Sequence, residues 1–251
     1  GVSSAASDVY KRQAMIYHNI FEETDAEFMW LSGITICDGM AADFAECKEH
    51  IVPAQPFSDD IISVSRKLAE RFCCDTEHIH QVEIAALKLF DALRKANHLT
   101  KKDRLLLQIA AILHNCGSFL NLNDIGENSY KIVTSTEIIG LSHQERMIVA
   151  YVIRYTTGDF PEYSEIKNEF SREEYIKIAK LNAILCLADA MDRSHQQKFT
   201  NFTVRKRGYD LTITGQTLYD ITLEHGMFIQ KSPFFEEAFG IRPVLRQKKC
   251  L

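Results

Sequence analysis

The chain has 251 residues, 46% of them hydrophobic, so it can bury a substantial core in one large domain or in two smaller ones. Its formal net charge of -5 gives no general reason to expect a nucleic-acid partner. No run approaches the roughly 20 apolar residues of a membrane span, and no basic-then-apolar leader is visible, so we expect a cytoplasmic protein without a membrane partner. Seven cysteines without a Cys-x-x-Cys pair predict reduced thiols rather than a disulfide framework or a thiolate zinc site.

The first 52 residues predict a leader followed by the end of an α/β domain. Residues 1–13 are small and polar without a period, and we expect them to be a non-native leader. In residues 14–52 the pattern predicts a helix over Ala14–Phe21, a buried strand over Phe28–Ile34 and a helix over Asp38–Cys47. A single strand with two helices is too small to cover both strand faces, so we expect the larger part of this domain to lie upstream.

A helical domain is predicted over residues 55–196, after a linker marked by Pro53 and Pro56. Serine three residues before glutamate forms a capping box that opens a helix at Ser142 and another at Ser171. The predicted helices cover Ile61–Phe72, a segment opened by Asp75 and Thr76, residues 102–116, Tyr130–Ile139, a segment from Ser142 to about Tyr155, and a segment from Ser171 to about Arg193.

The last predicted domain, residues 197–251, is a small α/β unit. Alternating apolar and polar residues predict three strands of a half-buried antiparallel sheet, over Phe202–Arg205, Leu211–Thr214 and Tyr219–Leu223. A helix over Met227–Phe239 and a strand near Val244 complete the unit. The segment Arg205-Lys206-Arg207 is expected to be a solvated turn at a hairpin tip.

Three polar residues on separate predicted helices, His78, His114 and Asp189, suggest a metal site. Imidazole nitrogens suit transition metals, and a carboxylate adds negative charge. The spacing also fits a simpler interpretation, in which His114 only forms hydrogen bonds at the C-terminus of its helix. Both interpretations stay open on spacing alone.

These residues lie within motifs that resemble the exopolyphosphatase and guanosine-pentaphosphatase (Ppx/GppA) family. The motifs are His78-x-x-x-Val82, Leu113-His114-Asn115-x-Gly117 and Leu187-Ala188-Asp189-Ala190-Met191-Asp192-Arg193-Ser194-His195. The resemblance runs over most of residues 20–246. It implies a multidomain, mainly α fold in which an all-α HD-like domain is flanked by the tail of an actin-like, ribonuclease-H-like domain and by a small C-terminal α/β unit.

The resemblance also identifies a degenerate metal motif. In HD phosphohydrolases the ligands would be His78, His114, the residue at 115 and Asp189, but position 115 is asparagine here. Replacing a carboxylate by a neutral amide removes a unit of charge from the site. Thr156 and Asn128 also stand where the family often has histidine. We therefore expect no metal at this site.

In such a family member the chemistry would lie upstream. The resemblance implies glycine-rich phosphate loops, an activating glutamate and a magnesium site in the missing half, and no glycine-rich loop occurs in these 251 residues. We therefore expect a C-terminal fragment that contains no catalytic residue. The implied substrates are polyphosphate and guanosine pentaphosphate, and a homodimer is expected.

Cations near helix ends are the candidates for binding phosphate, because a guanidinium can donate two parallel hydrogen bonds to phosphate oxygens and an ammonium pairs with them as a compact charge. The candidates are Arg154, Arg193, His195 and Lys131. Two other functions remain open: a self-sufficient metal-dependent HD nucleotide phosphohydrolase, and a non-enzymatic binding or dimerisation module.

Overall fold

The computed structural model describes residues 4–24, 27, 28, 33, 35–49, 57–94, 97–199 and 201–248. The chain divides into two compact units, residues 1–54 and residues 55–251. The elements in chain order are α1 (Ser4–Glu22), α2 (Ile36–Glu49), α3 (Phe57–Arg71), α4 (Thr76–Leu93), α5 (Lys101–Leu113), a 3-10 turn (Cys116–Phe119), α6 (Ile125–Ser135), α7 (His143–Arg154), α8 (Tyr163–Ile166), α9 (Arg172–Ala190), β1 (Asn201–Arg207), β2 (Asp210–Gln216), α10 (Thr222–Phe239) and β3 (Arg242–Lys248).

In the first unit, α1 begins at Ser4, ten residues before the predicted start at Ala14. The prediction relied on apolar periodicity, but nearly every side chain described in α1 is exposed, so no buried face marks its length. Helix α2 starts with a capping box between Thr35 and Asp38, close to the prediction. The predicted strand over 28–34 and the predicted proline linker fall mostly outside the described residues.

The core of the second unit is built by α4, α5, α7 and α9, and the mainly α prediction is confirmed. Helix α5 contacts the other three and also α3. Its last turns are buried all round, and Ile109, Ile112 and Leu113 are completely inaccessible. Because α5 is surrounded in this way, a polar side chain at its end points into protein rather than into water.

The helix boundaries follow the capping signals where these exist. Ser142 and Ser171 each accept a hydrogen bond from the amide of the glutamate three residues later, as predicted. Thr100 and Asp103 form a further box at the start of α5, which the sequence analysis did not single out. No described helix combines the length and the apolar character needed to cross a membrane.

Helix α6 differs most from the prediction, since it spans Ile125–Ser135 and not Tyr130–Ile139. Its first residues pack very closely against neighbouring backbone. A Cβ atom added to Gly126 would lie 2.3 Å from the carbonyl oxygen of Arg154, at the end of α7. The buried Ile138, which lengthened the predicted helix, lies in the loop that follows.

A three-stranded sheet with the order β1-β2-β3 covers one side of the helices. Strands β1 and β2 are antiparallel, as predicted. The segment Arg205-Lys206-Arg207 ends β1 and is not the predicted turn, which consists of Gly208 and Tyr209. The predicted third strand, Tyr219–Leu223, is wrong: Asp220 accepts hydrogen bonds from the amide and hydroxyl of Thr222, and α10 begins there. The third strand is β3, parallel to β2, as a crossover helix between two strands requires. Helix α10 packs on α9, and β1 packs on α4.

Candidate functional site

His78 lies in the first turn of α4 and is 1% exposed. The turn is fixed by Asp75, the N-cap residue, whose carboxylate accepts hydrogen bonds from the amides of Glu77 and His78. From the sequence, Asp75 is predicted only as a helix cap. The structure shows that this cap also determines where the imidazole of His78 enters the core.

His114 is the C-cap residue of α5, one residue beyond the last helical position. Its Nδ1 lies 2.8 Å from the carbonyl oxygen of Ala111, so the other ring nitrogen, Nε2, points away from its own helix. The carbonyl oxygen of His114 accepts a hydrogen bond from the hydroxyl of Ser129, which in turn accepts one from the amide of Gly117. Ser129, on α6, thus holds the chain reversal after α5 in place.

Asp189, near the C-terminus of α9, meets both histidines. Its Oδ1 lies 3.4 Å from Nε2 of His78 and 3.6 Å from Nε2 of His114, and the two Nε2 atoms are 3.2 Å apart. The structure therefore brings together three of the four residues of the predicted motif, from three different helices. We call His78, His114 and Asp189 the histidine cluster.

Asp192 forms a hydrogen bond with the ring nitrogen of His78 that does not face Asp189. Its Oδ2 lies 2.9 Å from Nδ1 of His78, and its side chain is 1% exposed. The amide of Gln197 donates to Oδ1 of Asp192 at 2.7 Å. Asp192 lies within the third motif, but no local pattern assigns it a role, since 114 residues separate it from His78.

Two of the four predicted phosphate-binding residues lie beside the cluster. The ring of His195 stacks on that of His78, with centroids 3.6 Å apart, and its Nδ1 lies 3.0 Å from a carboxylate oxygen of Asp75. The guanidinium of Arg193 lies 3.6 Å from Oδ2 of Asp189 and is partly exposed. A cation and an imidazole thus stand at the solvent side of the cluster.

The other two predicted residues, Arg154 and Lys131, belong to a different group. Both pair with Glu127, at 2.7 Å and 3.9 Å. The guanidinium of Arg154 also lies 4.5 Å from the ring centroid of Tyr130. Glu127 neutralises much of the charge that Arg154 would offer to a phosphate.

Asn115, Asn128 and Thr156, the neutral residues at family metal-site or histidine positions, each have hydrogen-bond partners within the protein. The carbonyl oxygen of Asn115 accepts a hydrogen bond from the hydroxyl of Ser118. The side-chain amide of Asn128 donates to the carbonyl oxygen of Asn123. Thr156 is buried, and its carbonyl oxygen accepts a hydrogen bond from the Lys231 ammonium at 2.8 Å.

The donor set and its geometry fit a single divalent ion. Zinc and similar metals lie about 2.0–2.2 Å from histidine nitrogen and carboxylate oxygen, so neighbouring ligand atoms around one tetrahedral ion are about 3.3–3.6 Å apart. The three separations in the histidine cluster, 3.2, 3.4 and 3.6 Å, match this spacing. Each histidine also places its Nδ1 against an oxygen acceptor, the arrangement that orients metal-binding imidazoles.

Without a metal, the same atoms are held together by a proton. Burial alone would lower the pKa of His78, but hydrogen bonds to Asp189 and Asp192 outweigh it and raise that pKa to about 9. Burial would likewise raise the pKa of Asp189, whereas the bonds from His114 and His78 lower it well below its usual range. At neutral pH the metal-free cluster therefore contains an ion pair between protonated His78 and Asp189. A metal ion would have to displace the proton from His78.

Comparison with known proteins places the chain in a family. Residues 62–231 match the family described as Ppx/GppA phosphatase, domain III. The chain is 22% identical to a guanosine-5'-triphosphate,3'-diphosphate pyrophosphatase of Aeromonas salmonicida and 23% identical to that of Aeromonas hydrophila. Each comparison covers 85% of this chain and 42% of the relative, so the chain spans less than half the length of the curated relatives that it matches.

The family match covers all three motifs from which the resemblance was drawn, and with them the whole histidine cluster. The elements that position the cluster, α4, α5 and α9, all lie within the matched residues. The chain therefore belongs to the Ppx/GppA phosphatase family and contains its domain III.

Proposed function

We propose that this chain is the C-terminal portion of a phosphoanhydride hydrolase whose catalytic half lies upstream. The observation that carries the proposal is the family match over residues 62–231, combined with relatives of which the chain covers only 42%. The names of those relatives favour guanosine pentaphosphate over polyphosphate as the substrate of the whole protein. The whole protein would be metal-dependent, with magnesium bound by residues upstream of this chain.

The proposal extends to the architecture. The helices of residues 55–196 would form an HD-like domain, residues 14–52 would be the tail of an actin-like domain, and residues 197–251 would be the C-terminal α/β unit. The intact protein would be a cytoplasmic homodimer that binds no nucleic acid. Size-exclusion chromatography with light scattering tests the dimer, and a monomer at micromolar concentration would contradict it.

The part played by this chain would be to hold the phosphates of the substrate. Arg193 and His195 are the best placed of the predicted residues, because they stand at the solvent side of the histidine cluster. Arg154 and Lys131 would contribute less, since both already face Glu127. A binding role without chemistry predicts a change in KM and little change in kcat.

The experiment uses the full-length reading frame from which this chain derives. The purified protein should release phosphate from guanosine pentaphosphate, and Arg193→Gln should raise KM about tenfold while kcat stays within about twofold. Lys167→Gln, which removes an exposed cation from a loop, is the matched control and should change neither constant. A full-length protein that hydrolyses neither guanosine pentaphosphate nor polyphosphate would overturn the proposal.

A second candidate function is favoured by the geometry of the histidine cluster. The three ligand separations suit one transition-metal ion, so the chain could act by itself as an HD-type nucleotide phosphohydrolase. Elemental analysis of purified protein after dialysis against Zn²⁺ or Mn²⁺ tests this candidate. It predicts one ion per chain, lost in His114→Ala and kept in His80→Ala, an exposed histidine of α4. Metal below about one tenth per chain in the unmodified protein would exclude it.

A further inference from the structure

A pocket of about 650 Å³ opens between α9, α10 and the loop that follows α7. Its lining residues come from segments 155–162, 175–186 and 230–237, and none of them belongs to the histidine cluster. A pocket of this volume has room for a small organic molecule. We call it the interhelical pocket.

Four aromatic residues form one contiguous wall of the interhelical pocket: Tyr155, Phe160, Tyr175 and Phe234. Phe160 is central, because its ring centroid lies 5.4 Å from that of Tyr155 and 5.6 Å from that of Tyr175. The ring of Phe234 lies 5.1 Å from it on the α10 side. None of the four residues is fully buried, so ring surface stays open to a ligand. The faces of aromatic rings attract cations.

Carboxylates outnumber cations in the same pocket. Asp159, Glu162 and Glu237 line it, and all three are exposed. Within the part of the chain that the structure describes, no cation pairs with any of these three carboxylates. Among the lining residues only Lys231 is cationic, and its ammonium donates to the carbonyl oxygen of Thr156 at 2.8 Å. The lining therefore has a formal charge of -2.

The ionisation of Tyr175 reflects this negative charge. Burial and the neighbouring carboxylates, those of Glu162 and Glu237 foremost, raise the pKa of its hydroxyl. The neutral hydroxyl donates to the carbonyl oxygen of Pro161 at 3.0 Å and so ties the loop to α9. The carboxylates that oppose a negative charge at this point favour a positive one. The pocket is therefore suited to a cation and unsuited to a phosphate.

The arrangement of the carboxylates favours an organic cation over a metal ion. Metal ligands must converge on one point, and among the described residues the group of three that does so is the histidine cluster. The pocket carboxylates do not converge in this way. A linear polyamine has methylene groups that can pack on the rings and several ammonium groups that can pair with separate carboxylates. A lysine side chain would bring a single ammonium and leave two carboxylates unpaired.

We propose that the interhelical pocket binds a linear polyamine, with its methylene chain on the ring of Phe160 and its ammonium groups on Asp159, Glu162 and Glu237. The inference goes beyond the proposed function, because it assigns a second ligand of opposite charge to the substrate. It does not depend on which phosphates the whole protein hydrolyses. A bound polyamine would join the loop after α7 to α10 and would stabilise the folded state.

The test measures binding of spermidine to the 251-residue chain by isothermal titration calorimetry. Salt at about 0.1 M screens attraction to charges more than about 10 Å away. The pocket variant Asp159→Asn/Glu162→Gln/Glu237→Gln should bind spermidine at least about tenfold more weakly. The control variant Asp60→Asn/Glu137→Gln/Glu173→Gln removes the same charge from exposed positions outside the pocket, and its affinity should stay within about twofold.

A second variant tests the aromatic wall separately. Phe160→Leu keeps every charge and an apolar side chain but removes the central ring, and it should bind spermidine about threefold more weakly. Thermal unfolding without ligand checks that each variant is folded. Added spermidine should raise the unfolding midpoint of the unmodified chain and of the control variant, and it should leave that of the pocket variant unchanged. If the pocket variant does not fold, Phe160→Leu decides the matter.

Three results would overturn the inference. It is wrong if the unmodified chain does not bind spermidine, or if the control variant loses as much affinity as the pocket variant. It is also wrong if Mg²⁺ displaces spermidine as well as putrescine does, because these two ions have equal charge and only putrescine has methylene groups for the rings. If a lysine-containing peptide binds as tightly as spermidine and is lost in the pocket variant, the ligand is a protein side chain and not a free polyamine. Phosphate release by the full-length protein tests the proposed function separately.

Discussion

His78 is buried between two carboxylates, and this environment determines the charge that it carries. Asp189 and Asp192 approach its two ring nitrogens, so the protonated ring satisfies both carboxylates at once. A neutral ring could donate to only one of the two carboxylates, and the other would lose its bond from His78. Removing that proton in the metal-free protein should therefore weaken the fold.

The charge of His78 makes the stability of the metal-free protein depend on pH. Because the pKa of His78 is raised from 6.5 to about 9 in the folded state, its contribution is complete below about pH 6.5 and is lost as pH rises through about 9. Metal-free protein should lose up to about 3 kcal/mol of unfolding free energy across this window, measured by urea unfolding. His78→Gln, although less stable throughout, should show a flatter profile. Parallel profiles for the two proteins would contradict the assignment.

The residues of the site were predictable to different degrees. His78, His114 and Asp189 were found because polar residues interrupt strongly apolar helices and fit a known motif. Asp192 and Asp75 were missed as partners, since their roles depend on distances across the fold to residues 114 and 120 positions away. Arg154 was selected for its position at a helix end, and its neighbours Glu127 and Tyr130 become visible only when α6 packs against α7.

Helix α6 depends on a glycine in its first turn. Gly126→Ala would place a methyl group 2.3 Å from the carbonyl oxygen of Arg154, so backbone must move. We expect a loss of about 2 kcal/mol or more in unfolding free energy, measured by denaturant titration. Gly226→Ala in α10 is the control, because its added methyl group meets no atom within 4 Å, and it should be neutral or stabilising. Equal stability of the two variants would show that α6 adjusts freely.

The start of α9 provides a second test at this scale. Ser171→Ala removes the side-chain oxygen that accepts the amide of Glu174, and it should cost about 1 kcal/mol. Ser164→Ala, an exposed serine of the short helix α8, should cost less than about half as much. The comparison is made by thermal unfolding monitored by circular dichroism. A loss in the control equal to that in Ser171→Ala would mean that the capping hydrogen bond contributes nothing measurable to stability.

The elements also show which signals in the sequence were sufficient. Capping boxes located the starts of α7 and α9 because the box is local chemistry. Helix α6 begins after Asp124, which stands three residues before Glu127 but makes no side-chain capping bond, so this pattern is present without the box. The segment at 219–223 alternates like a strand, yet the bond from Thr222 to Asp220 turns it into a helix start.

For the whole molecule, the two units make unequal contributions to the core. Among the residues that the structure describes, every member of the hydrophobic core lies between Ile61 and Leu245, within the second unit. We therefore expect residues 55–251 to fold without the first 54. The truncated protein should have a midpoint of thermal unfolding within about 2 °C of that of the full chain. A broad transition or a loss of several degrees would show that the first unit stabilises the second.

Strand β3 pairs with a strand that lies far from it in the sequence, and this has a consequence for biosynthesis. The helical core is complete once Ala190 has been made, whereas β2 pairs with a strand 32 residues further along the chain, since Asp210 lies opposite Arg242. While residues 242–248 are still inside the ribosome, β2 is paired with β1 on one edge, and its other edge, which later receives β3, has no strand beside it. The nascent protein therefore passes through a stage with an open sheet edge, when pairing with a second nascent chain competes with correct completion.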